Sequence, residues 1–158
     1  MKRAHSARIV ALAATTLILT GCAMAPRPTL DSVQAATVDA MQRIADEVPG
    51  GVVEIRTSDT PYIACSDAGY NYVARWSVAP GADFDGPSFV DRLPDLLGDD
   101  YTIAETVPIS APAVALDHKD GVVLDVKVLP VDGGEVVDIY GISPCGEGPL
   151  PLETQDDA

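Results

Sequence analysis

The chain has 158 residues, with 10 basic against 24 acidic side chains and a formal net charge of −14. A field of that sign repels nucleic-acid phosphates and anionic lipid head groups, which removes both from the expected partners. The acidity serves solubility or else suits a cationic partner or loosely held divalent cations, and the 47% hydrophobic content argues that most of the chain folds.

The N-terminus comes first. Lys2, Arg3 and Arg8 make a basic start with no acid, followed by an uncharged run from Ile9 to Leu19. That run suits the apolar core of a signal peptide and falls short of the roughly 20 residues a helix needs to cross a bilayer. Leu19-Thr20-Gly21-Cys22 ends it. These four residues resemble the bacterial lipobox, [LVI]-[ASTVI]-[GAS]-C, at every position. The resemblance implies cleavage before Cys22, a diacylglyceryl group on its thiol, and an anchor on the outer face of the cell membrane. Two acyl chains hold a protein stably where one is marginal. The alternative is a plain secretory signal with a cysteine at its end.

On this reading residues 1–21 are a signal peptide, 22–29 a lipid-anchored tether, 30–149 one domain and 150–158 a disordered acidic tail. The tether, with Pro26 and Pro28, reaches about 25 Å when extended. Three of the 10 bases leave with the signal and no acid does, so the remainder carries 7 against 24, net −17. Its two remaining cysteines, Cys65 and Cys145, are an even pair in an exported chain, which predicts one disulfide. Two free thiols or a redox pair are the alternatives, the second without the usual Cys-x-x-Cys spacing.

The first predicted element is a helix over about 31–48. Asp31 suits its N-cap and Gln34 a capping box; Leu30, Val33, Thr37, Ala40, Met41, Ile44 and Val48 share one face, and Pro49-Gly50-Gly51 stops it. Its single base against four acids disfavours a membrane-surface helix and favours packing on a sheet. A short strand is expected at 52–56 and a loop at 57–69. Tyr70 to Val78 alternates as a strand, with Tyr70, Tyr72, Ala74, Trp76 and Val78 on one face. A second helix is expected over about 87–97, with Pro87 in its first turn and Phe89, Val90, Leu93, Leu96 and Leu97 as its apolar face. Pro94 should kink or split it. Strands follow at 101–107, 113–116, 122–129 and 135–142, joined by turns at Asp117–Gly121 and Pro130–Gly134. The sum is a two-layer α+β domain: an antiparallel sheet of about four to six strands with two helices on one face.

Chemistry is sparse. His118, the one histidine after the signal, lies in the expected Asp117–Gly121 turn with Asp117 and Asp120 as its only neighbours. It is a general base or a metal ligand on one reading, a turn residue on the other. Asp83-Phe84-Asp85-Gly86 shares part of a calcium loop but fails the full pattern, with Gly81 two residues ahead and Pro87 following. Ser143, between Ile142 and Pro144, has only a superficial likeness to a nucleophile elbow and suits a strand end. Tyr70, Tyr72 and Trp76 form either an exposed stacking platform or part of the core. No phosphate loop or metal motif is present, so no catalytic residue, metal or cofactor is assigned.

The wider pattern also resembles the small lipoproteins that actinobacteria and similar high-GC bacteria carry in numbers. Its landmarks are the lipobox, the leading helix, Cys65-Ser66-Asp67 after the first strand, the aromatic strand and Ser143-Pro144-Cys145. Such proteins mostly have no assigned activity, and the resemblance supports pairing Cys65 with Cys145. The expected function is a membrane-anchored, extracytoplasmic binding or accessory domain without catalysis, its partner an envelope protein or small ligand. The rival expectation is an envelope hydrolase with a dispersed acidic site, Asp83, Asp85 and Asp120 being carboxylates that folding would have to assemble.

Overall fold

The 3,4 spacing between residues 30 and 48 does produce a helix, α1 (Leu30–Asp46), and all seven side chains of its expected apolar face are buried. Its cap differs from expectation. Thr29, not Asp31, is the N-cap: its hydroxyl accepts the Ser32 N–H at 3.2 Å, and Gln34 bonds instead to the Tyr62 hydroxyl at 2.9 Å. The computed structural model describes residues 27–105 and 110–151. The signal segment, Cys22, the first part of the tether, the end of the strand expected at 101–107 and most of the acidic tail lie outside the described residues.

Among the described residues eight strands follow the helix: β1 (Val52–Ile55), β2 (Tyr62–Ser66), β3 (Gly69–Ala79), β4 (Tyr101–Ile103), β5 (Ala113–His118), β6 (Val123–Val131), β7 (Gly134–Ile142) and β8 (Gly146–Glu147). All pair antiparallel in the order β1-β3-β7-β6-β5-β4, with β2 and β8 added to the start of β3. The expected class stands, with more strands than the sequence indicated. The additions are short: β2 occupies part of the segment expected as loop, and β8 has two residues. The bridge Cys65–Cys145 joins β2 to the residue just before β8, with Cα atoms 5.9 Å apart.

Helix α2 (Gly86–Leu97) is capped by Asp85, whose carboxylate accepts the Ser88 N–H at 3.2 Å, and closed by Gly98 at φ 76°. It runs unbroken through Pro94, against expectation. The proline sits in the last turn, where it forgoes one backbone bond while its carbonyl still accepts the Gly98 N–H at 3.2 Å. Leu96 is also a correction: Phe89, Val90, Leu93 and Leu97 are buried, whereas Leu96 is 44% exposed, one step off the buried stripe.

Both helices cover one face, α1 over β3, β7 and β8 and α2 over β4, β5 and β6. Between them lies one core, including Met41, Ile44, Leu93, Leu116, Leu124 and Ile139, all fully buried. Burial of each such side chain stabilises by roughly 1.5–3 kcal/mol. Gly146 lets α1 approach closely, since a Cβ there would meet the Val33 methyl at 2.6 Å. Among the described residues, no helix covers the other face of the sheet.

Candidate functional site

Alternation in β3 sends Tyr72, Ala74, Trp76 and Val78 into the core and leaves Val73, Arg75 and Ser77 on the open face. The register carries that face across the sheet. Arg75 lies opposite Tyr140, which lies opposite Asp125; Ser77 lies opposite Asp138, which lies opposite Lys127. Two ion pairs lie on that face, one between β3 and β7 and one along β6. Arg75 Nε donates to Asp138 Oδ1 at 2.8 Å, and Lys127 pairs with Asp125. Asp138 is 9% exposed, so its charge needs that partner. The carboxylate in turn raises the Arg75 guanidinium further above its ordinary value.

Where β1 ends, the Arg56 N–H donates to the Arg75 carbonyl at 2.8 Å, which sets the two arginines side by side across the strand pair. Thr57 Oγ1 accepts the Arg75 N–H at 3.1 Å. Like charges directly opposite one another are destabilising, so the arrangement is unusual in so acid-rich a chain. Glu54 pairs with Arg56 at 2.7 Å and relieves part of the repulsion. Both arginines line a recess of about 270 Å³ whose walls include Pro61, Ile63, Val73 and Tyr140. They also line a neighbouring one of about 410 Å³, with Leu129, Val136 and Asp138. Each guanidinium uses one nitrogen in its ion pair and keeps further donors, so the pair can grip a carboxylate or phosphate above an apolar floor.

The residues singled out from sequence fall elsewhere. His118 ends β5, its ring tilted against Tyr101 with centroids 4.7 Å apart and Nδ1 3.7 Å from Asp120 Oδ2. Its backbone starts a hairpin loop in which Gly121 takes φ 81°, the left-handed position of a three-residue turn. Asp120 belongs to that loop, whereas Asp83 and Asp85 precede α2 near the β6–β7 hairpin. The two hairpins sit at opposite ends of β6, about 26 Å apart at strand spacing, so folding does not assemble that trio. Asp85 is a helix cap. Asp83, at φ 64°, instead lines a recess of about 560 Å³ with Asp132 and Glu135. Among the described residues no group of three or more His, Cys, Asp or Glu side chains is placed to hold a metal.

Ser143 closes the end of β7: its hydroxyl accepts the Tyr72 N–H and donates to the Pro144 carbonyl, both at 2.7 Å. The platform reading is overturned, because Tyr72 and Trp76 are 7% and 5% exposed and only Tyr70 is half-buried. Cys65 and Cys145 are bridged as expected. The sequence reading missed the Arg56–Arg75 pair. Alternation already set Arg75 opposite the aromatic face, but its neighbour follows only from how β1 registers on β3. Comparison with protein-family models, curated proteins and solved structures gives no match for this chain.

Proposed function

We propose that the chain is an exported lipoprotein held on the outer face of the cell membrane through Cys22, with a non-catalytic binding or accessory domain. The observation that carries this reading is the four-residue match at Leu19-Thr20-Gly21-Cys22 behind a basic start and an apolar run. The disulfide supports it: the chain has three cysteines, two of them bridged, which leaves Cys22 available for acylation. A bridge of this kind also belongs to oxidising, extracytoplasmic compartments. No helix among the described residues is long and apolar enough to cross a membrane.

The open sheet face is the binding surface, and its paired arginines favour an organic anion with an apolar body. Metabolic labelling with a clickable fatty acid tests the anchor. The wild-type chain should label and fractionate with membranes, and Cys22→Ala should do neither; a Cys22→Ala chain that still labels refutes the anchor. For the surface, hexanoate should bind the full chain more tightly than hexanamide, by about tenfold for one lost charge-assisted contact. Arg56→Gln with Arg75→Gln should erase the difference.

A further inference from the structure

Strand β1 ends the sheet with Val52 and Ile55 each 69% exposed and Val53 39% exposed. Edges of this composition are normally shortened, charged, bulged or covered, because their main-chain groups recruit another strand. The one charge within β1 is Glu54, and Arg56 neutralises it at 2.7 Å. The Arg56 N–H points inward to the Arg75 carbonyl. Antiparallel alternation therefore turns the N–H and C=O of Val53 and Ile55 away from the sheet. Among the described residues no strand pairs with that outer edge.

We infer that β1 is a self-association edge, at which a second copy of this chain pairs antiparallel with Ile55 opposite Ile55. Charge selects both the occupant and the register. Centring the pair on Ile55 sets Glu54 of each copy opposite Arg56 of the other, twice, at the close non-hydrogen-bonded positions where side chains interact most. Centring on Glu54 opposes two acids, centring on Arg56 opposes two bases, and centring on Val53 sets Glu54 against Val52. The Ile55 register alone among these exchanges each internal ion pair for an intermolecular one and covers both isoleucines. It also sets the Arg56–Arg75 recesses of the two copies on one continuous sheet face. The inference stands whether or not Cys22 is acylated.

Cysteine placement reads the register directly. Residues opposed in a hydrogen-bonded antiparallel pair have Cα atoms about 5.5 Å apart, within disulfide range. In the full chain, Ile55→Cys should form a disulfide-linked dimer under mild oxidation, about tenfold faster than Val53→Cys, whose opposite residue is Thr57. Glu54→Arg, made in the Ile55→Cys background, should slow crosslinking by about tenfold, and adding Arg56→Glu should restore it. The unsubstituted full chain in detergent micelles should show a concentration-dependent dimer by sedimentation equilibrium. Equal crosslinking at positions 53 and 55, no effect of Glu54→Arg, or a monomer at every concentration overturns the inference. Crosslinking of Ile55→Cys to a different protein, with no dimer, overturns it too and assigns the edge to that partner.

Discussion

Two buried tyrosines, Tyr72 and Tyr101, and a partly buried one, Tyr62, oppose ionisation in the folded chain. Tyr62, Tyr72 and Tyr101 all have phenol pKa values raised by burial, with the charge of Asp31 adding to the effect at Tyr62. Tyr101 donates its hydroxyl to the Ala40 carbonyl at 3.2 Å, tying β4 to α1. A raised folded-state pKa gives stability that is complete below the ordinary value of about 10 and is lost as pH rises through the folded values. Base titration followed together by tyrosinate absorbance and far-ultraviolet circular dichroism should therefore show ionisation of Tyr72 and Tyr101 coinciding with unfolding. Complete ionisation of a chain that stays folded contradicts this. Ser143 matters at the same scale, through a hydrogen bond. Ser143→Ala leaves the buried Tyr72 N–H without its acceptor, which should cost about 1–3 kcal/mol in denaturant unfolding.

At the level of elements, α1 offers a direct test of where its first turn begins. Thr29→Ala should cost about 1 kcal/mol because it removes the oxygen that accepts the Ser32 N–H, and Asp31→Ala should cost less. The misplacement has a physical origin. Thr29 and Asp31 are both good caps, and the choice depends on residues 27–29 being tied to β8, through Glu147 N–H to the Pro28 carbonyl at 2.9 Å. No local pattern reports a contact so distant in sequence. The long periodic elements were legible: α1, β3, β6 and β7 bury the side chains their spacing selects. Strand β2 was not, because four of its five residues are exposed and no alternation marks it; its strand form comes from pairing with β3 and from the disulfide. The candidate site was half legible for the same reason. Arg75 could be placed on the open face by counting in twos, whereas the recess beside it exists only once β1, residues 57–61 and β7 converge.

Across the whole molecule, the disulfide and the entry of the proposed tether lie at one end. Cys145 Sγ lies over Gly69, Gly146 lies under Leu30 and Val33, and Glu147 holds Arg27 in an ion pair at 2.7 Å. The bridge thus clamps β2 and β8 to β3 at the point where the proposed tether enters the fold. It closes a loop spanning 80 positions, and loop-closure entropy makes that worth about 4 kcal/mol. The benefit should not be spread evenly. Strands β6 and β7 share a nine-residue register and bury Leu124, Val126, Val128, Val137 and Ile139 on the inner face, so they hold without the bridge. Strand β2 is short and largely exposed and β8 has only two residues, and opening of such segments costs little. Replacing both cysteines, Cys65→Ser with Cys145→Ser, should lower unfolding free energy by about that amount. In native-state hydrogen exchange, protection should fall first in β2, in β8 and in the first turn of α1, while β6 and β7 keep theirs until global unfolding. Equal loss of protection in every strand would instead mean that the bridge constrains only the unfolded chain and that the clamped end draws its order from packing alone.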